Sequence, residues 1–135
     1  MIVVDASVVV HALADDGATG AAARERLDRE ADLAAPQLLD LEVVSTLRAH
    51  HRRGRLTARR AATALADLGD LDVDRWDHGG LVLRVWQLRD SLSVYDAAYL
   101  ALAEEIGCSL LTADARLAKG AEHVRSSAPV EVFSG

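Results

Sequence analysis

Ile2-Val3-Val4-Asp5-Ala6-Ser7-Val8-Val9-Val10 opens the chain. Its first apolar residues suit a short strand buried on both faces, as a parallel sheet requires, and they run straight into an acid, a small residue and a hydroxyl. A carboxylate at the carboxyl end of such a strand lies where open α/β sheets place their ligand crevice. Fold and function both turn on whether other strands and other acids reach the same place.

Working outward, residues 6 to 14 read as a helix, Asp15-Asp16-Gly17 as a break, and residues 18 to 31 as an Ala-rich helix. Arg24, Glu25, Arg29 and Glu30 are spaced along it for a solvated face. Leu33-Ala34-Ala35 is a brief strand candidate ended by Pro36. From Gln37 to about Arg53 apolar residues recur at helical spacing until Gly54 stops them. Thr57 caps a further helix to about Leu68. Leu71-Asp72-Val73-Asp74 alternates as a half-exposed strand does, and Asp77-His78-Gly79-Gly80 turns the chain. Residues 81 to 90 read as a helix, and Ser91-Leu92-Ser93 leads into another, Val94 to Ile106, closed by Gly107. Leu110-Leu111-Thr112 is a strongly buried strand, Asp114 to Lys119 a helical turn, and Val130 to Phe133 an edge strand after Pro129. Strands alternate with helices and no hairpin signal occurs. This pattern predicts one doubly wound α/β domain over residues 1–135, with a parallel sheet between two helical layers.

A chain of 135 residues buries about two-thirds of the surface its unfolded form exposes and needs no covalent staple. The single Cys108 cannot form an intrachain disulfide, which suits a reducing cytoplasm, and it reads as a small buried hydrophobe. No Arg or Lys precedes the first apolar run and Asp5 interrupts it, so it is not a secretory signal. With no apolar stretch long enough for a membrane span, the expected location is the cytoplasm.

A net charge of −6 argues at first against a nucleic-acid partner. The distribution reverses that. Between Arg48 and Arg60 stand six Arg and two His with no acid, so positive charge is concentrated in one stretch. Arg48, Arg52, Arg53, Arg55, Arg59 and Arg60 are candidates to hold a phosphate backbone, because Arg makes bidentate phosphate contacts. A solvated helix face, or a docking surface for an acidic protein, is the competing reading.

Four acids could converge. Asp5 and Asp114 each follow one of the two most apolar strands. If those strands are neighbours where the strand order reverses, both carboxylates face one crevice. Either could instead simply cap the helix it precedes. Glu42 shares a helix face with Leu38, Leu39, Thr46 and Ala49, where an ionised carboxylate is costly unless paired or coordinated. Its neighbour Asp40 falls on the other side of the wheel and looks solvated. Asp96 stands three residues after Ser93 in a capping-box arrangement, yet a first-turn acid also projects past the helix start.

Crowding separates coincidence from a site. Two carboxylates about 4 Å apart repel by about 4 kcal/mol at an effective dielectric near 20. Such a cluster requires a divalent cation or raised pKa values. Oxygen ligands without His or Cys select Mg2+ or Mn2+ over Zn2+. A P-loop NTPase is excluded by the missing Gly-x-x-x-x-Gly-Lys-Ser/Thr; a phospho-accepting receiver domain is argued against, less firmly, because it needs a lysine near the last strands and the lone Lys119 follows a helical turn instead.

Asp5-Ala6-Ser7, Pro36 through Glu42, Tyr95-Asp96-Ala97-Ala98-Tyr99-Leu100 and Leu111-Thr112-Ala113-Asp114 together resemble the PIN domain, and more narrowly the VapC toxins of toxin–antitoxin modules. The resemblance implies a parallel sheet of about five strands and a Mg2+- or Mn2+-dependent endoribonuclease. Asp5, Glu42, Asp96 and Asp114 would be its catalytic, metal-binding acids, with Ser7 and Thr112 as supporting hydroxyls. It implies RNA as substrate, a small antitoxin as partner and a homodimer. Some relatives carry a further acid or Asn after the last Asp, where this chain has Ala115, Arg116 and Leu117. The alternative is a catalytically inert PIN-like module that binds a partner without cutting.

Overall fold

A computed structural model describes residues 1–135. Five strands form a single parallel sheet: β1 (Ile2–Val4), β2 (Leu33–Pro36), β3 (Asp74–Trp76), β4 (Ser109–Thr112) and β5 (Val130–Val132), in the order β3-β2-β1-β4-β5. Seven α-helices connect them: α1 (Ala6–Ala14), α2 (Ala18–Asp28), α3 (Leu38–Arg52), α4 (Ala58–Asp70), α5 (Val82–Gln87), α6 (Val94–Ile106) and α7 (Ala115–His123). Right-handed crossovers place α1 to α4 on one face and α5 to α7 on the other.

The central strand is β1, and every residue in it is buried. Its register pairs Val3 with Ala34 on one side and with Leu110 on the other. Chain order runs outward from β1 to β2 and β3, then crosses back to β4 and β5. The reversal therefore falls between β1 and β4, and an open crevice forms at their carboxyl ends. Small residues let the helices approach the sheet: Ala34, Ala35, Ala97 and Ala103 are all fully buried in one core cluster of 34 residues.

Three elements depart from expectation. The third strand is Asp74–Trp76 rather than residues 71 to 74. Leu71 and Val73 point inward because they pin the end of α4 to the core, and the strand begins only where pairing with β2 starts. Asp40, expected to be solvated, accepts a paired contact from Arg75 of that strand at 2.8–3.0 Å. Helix α7 continues past Lys119 to His123, because Gly120 serves packing rather than termination. A Cβ at Gly120 would lie 2.3 Å from the Leu92 side chain. The helix expected over residues 81 to 90 is a 3-10 turn, Gly79–Leu81, followed by the short α5.

Candidate active site

The crevice is built from the ends of β1 and β4. Asp5 is 6% exposed and its backbone N–H donates to Leu111 O at 2.9 Å, which fixes the two strand ends together. It occupies the N-cap position of α1 but makes no side-chain capping bond. Instead its Oδ2 accepts two hydroxyl protons, from Thr112 Oγ1 at 2.6 Å and from Ser7 Oγ at 2.9 Å. Its Oδ1 has no side-chain donor. The same hydroxyls accept from the backbone of the β4–α7 turn: Thr112 Oγ1 from Asp114 N–H and Ser7 Oγ from Ala113 N–H, both at 3.0 Å. Ser7 and Thr112 thus hold Asp5 and the backbone of Asp114 in one rigid frame.

Asp114 does cap α7, accepting from Arg116 N–H at 2.9 Å. The Arg116 guanidinium lies 3.3 Å from each carboxylate oxygen. Asp96 enters from the first turn of α6, whose N-cap Ser93 Oγ accepts the Asp96 N–H at 3.1 Å. Asp114 is thus itself a cap, whereas Asp96 is held by one, Ser93. Glu42 comes from α3 and is half-buried; its Oε1 is buried without a hydrogen-bond partner. The hydroxyl of Tyr99 on α6 neighbours Glu42 but likewise has no partner.

Electrostatics ties the four acids into one group. Burial raises the pKa of Asp5, and Asp114 raises it further against the two hydroxyl donors. Burial likewise raises that of Glu42 against the opposing pull of the neighbouring Tyr99 hydroxyl, with additional repulsion from Asp5 and Asp96. Asp96 is raised by burial and by repulsion from Asp5 and Asp114. Burial acts upward on Asp114 too, but Arg116 outweighs it and holds this carboxyl below its ordinary range. Tyr99 is pushed well above the usual phenol range by burial and by Glu42.

The donor set suits a hard divalent cation: oxygen ligands only, three carboxyls with raised pKa values and one orphaned buried oxygen. No three acidic, His or Cys side chains close into a ready-made cage. Mg2+ does not require one, because it retains several waters and is commonly held by one or two carboxylates.

The basic stretch divides in two. None of Arg48, Arg52, Arg53, Arg55 and Arg59 forms an ion pair. Arg60, in contrast, is committed to Asp16 at 2.9 Å and to Leu13 O at 2.7 Å, so it serves the fold. Arg53 and Arg55 lie past the far end of α3, beyond about 16 Å of helix rise from Glu42. Arg48 and Arg52 are nearer and exposed. Tyr99 and Arg116 have no role in the sequence reading. Their signals were available: Tyr99 stands one helical turn after Asp96, and Arg116 two residues after Asp114.

These features place the chain in a known class. It belongs to the PIN domain family, whose model matches residues 2–122. Within that family it is VapC-like: it is 46% identical over 118 residues to VapC ribonuclease Mb0985 of Mycobacterium bovis, covering 87% of this chain and 88% of that protein. Ribonuclease VapC3 of Mycobacterium tuberculosis is 42% identical over 118 residues, with 87% and 85% covered. Ribonuclease VapC12 of the same organism is 37% identical over 123 residues, with 91% and 94% covered. Among solved structures, M. tuberculosis VapC20, described as a sarcin-ricin loop cleaving toxin, superposes with a TM-score of 0.64. That match covers 100% of this chain and 91% of VapC20 at 17% identity, and so bears on the fold alone.

Proposed function

We propose that this chain is a metal-dependent endoribonuclease, the toxin of a toxin–antitoxin pair, acting in the cytoplasm as a homodimer. The observation that carries the reading is Asp5, a buried carboxylate held by two hydroxyls and electrostatically coupled to three more acids at the sheet's reversal point. Its relatives' names, VapC ribonucleases, supply the substrate class.

Asp5 and Asp114 would be the most direct ligands of Mg2+ or Mn2+, with Glu42 and Asp96 completing the site or ordering its water. When bound, such an ion supplies an activated water and neutralises charge on a phosphodiester under attack. The chain's own part is positional. Thr112 and Ser7 hold Asp5 in one rotamer and the β4–α7 turn in register, while Ser93 sets the α6 terminus from which Asp96 projects. Arg116 pairs with Asp114 and keeps that carboxylate ionised. Hydrolysis adds water across the P–O3′ bond, and the leaving 3′ oxygen takes up a proton.

Incubating the purified protein with total RNA, with and without Mg2+, and mapping new 5′ ends tests the proposal. New ends that require Mg2+ and vanish in Asp5→Asn are expected; cleavage that persists in EDTA or in that variant overturns it. If no RNA is cut and titration calorimetry detects no Mn2+ binding, the inert binding module is correct.

A further inference from the structure

Beside the carboxylates lies a second cavity of about 410 Å³, lined by Leu38, Leu41, Glu42, Ser45, Thr46 and Tyr95. It shares Glu42 with the acidic crevice and abuts it through Tyr95, whose chain neighbour is Asp96. Its size falls within the about 300–1,000 Å³ usual for ligand pockets. Resting on the nuclease reading above, we propose that this cavity is a nucleobase subsite, in which Tyr95 stacks one unpaired base of an RNA strand whose phosphate lies at the carboxylates.

Three observations support this occupant. First, the ring is available. Tyr95 is 61% exposed and Leu41, on the same cavity, is 74% exposed, so a flat apolar ligand meets an aromatic surface and an aliphatic one without rearranging the core. Tyr95 and Leu38 also line a separate apolar cavity under α5, which makes them the wall between the two and gives the ring support on one side. Second, the lining chemistry suits a base. Ser45 is exposed and its hydroxyl has no intramolecular partner, whereas the Thr46 hydroxyl donates to Glu42 O at 3.0 Å and keeps only accepting capacity. One free donor and acceptor beside an aromatic face is what reading a base edge requires.

Third, the cavity continues into a basic track. Leu41, Ser45, Arg48 and Arg52 recur at i, i+4, i+7 and i+11 on α3, one helical face. The face that begins as a wall of the cavity therefore becomes two exposed arginines free of ion pairs, placed to follow the backbone leading away from the stacked base. A protein partner would use the same apolar residues but has no comparable need of the aromatic face, the free hydroxyl and the arginines in that order.

The test uses binding as well as cleavage. In an Asp5→Asn background, which prevents turnover, affinity is measured by fluorescence anisotropy for labelled ten-nucleotide single-stranded RNAs of each base, in Mg2+. Tyr95→Ala is expected to weaken binding of at least one about tenfold, without changing the salt dependence, because stacking carries no charge. Tyr95→Phe is expected to stay within about twofold, since the ring is retained. Arg48→Ala should instead flatten the salt dependence. In a cleaved substrate, a single abasic nucleotide at the stacked position should abolish the Tyr95→Ala penalty. Should Tyr95→Ala bind and cleave as wild type while Asp5→Asn alone abolishes cleavage, the subsite is wrong and the nuclease reading stands. Equal losses in Tyr95→Phe and Tyr95→Ala overturn stacking in favour of the hydroxyl. Unchanged RNA affinity with altered sedimentation assigns the cavity to protein contact. Absence of any Mg2+-dependent cleavage by the wild type removes both readings together.

Discussion

Thr112 shows how much one hydroxyl can hold. It is fully buried, donates to Asp5 and accepts the Asp114 N–H. Replacing it with Val preserves shape but leaves that N–H unsatisfied and removes a donor from Asp5. Thr112→Val is expected to cost about 1–3 kcal/mol in urea unfolding and to raise the Asp5 pKa further, shifting the acid limb of any pH–rate profile upward. Unchanged stability and an unchanged limb would show the network to be dispensable. The pairing of Arg116 with Asp114 is the other device the site contains at this scale. The Arg116 side chain is 92% exposed, so removing it should leave stability nearly unchanged while letting the Asp114 pKa rise.

Helix α6 is the element on which the site depends most, because it carries Asp96 and Tyr99 and packs across the strands. Its ends are defined by Ser93, which accepts the Asp96 N–H, and by Gly107, at φ +79°. Ser93→Ala removes the cap and should cost about 1 kcal/mol, with a further loss of activity as the first turn frays beneath Asp96. Gly107→Ala imposes a left-handed backbone on a residue with a Cβ and should cost about 1–2 kcal/mol while leaving the site geometry intact. Thermal melts paired with RNA cleavage separate the two: activity falling equally in both variants would contradict the distinction. Helix α3 has a matching division along its length, with Glu42 in its first half and unpaired arginines in its second.

For the whole molecule, acid crowding predicts how stability follows pH. Three carboxyls have raised pKa values, so in metal-free protein the folded state binds protons more tightly than the unfolded chain. Their contribution is fully favourable below the ordinary carboxylate range and is lost as pH rises through the raised folded values. Asp114, held low, works in the opposite sense. Asp96→Asn in EDTA should therefore be more stable than wild type near neutral pH, with the gap closing toward about pH 4; a pH-independent gap would refute the crowding. Mg2+ should raise the melting temperature of wild type more than that of Asp5→Asn, which keeps the other three carboxylates, since a ligand binding only the folded state stabilises it. The exposed Leu83, Trp86 and Val82 of α5, at 80%, 64% and 57%, are the candidates for the contact that would join two copies in the proposed homodimer. Leu83→Glu with Trp86→Glu should sediment as a monomer if that face holds the copies together; an unchanged sedimentation coefficient would place the contact elsewhere.

Alternation of buried strands with helices, the parallel topology and the strand ends bearing Asp5 and Asp114 were legible in the chain, because hydrophobic period and helix signals are local. So was the suspicion attached to Glu42, an acid on an apolar helix face. Local pattern misplaced β3 at residues 71 to 74, since inward-facing Leu71 and Val73 mimic strand alternation while anchoring a loop. It left Asp5 and Asp114 equally open to capping and to a site, and grouped Arg60 with the other arginines. Contacts between residues distant in sequence show that Asp5 is held by Thr112 rather than capping its helix, that Ser7 holds the Ala113 backbone, and that Arg60 is committed to Asp16. The residue types alone determined which chemistry was available; the strand order, by bringing β1 against β4, decided which carboxylates had to share one crevice.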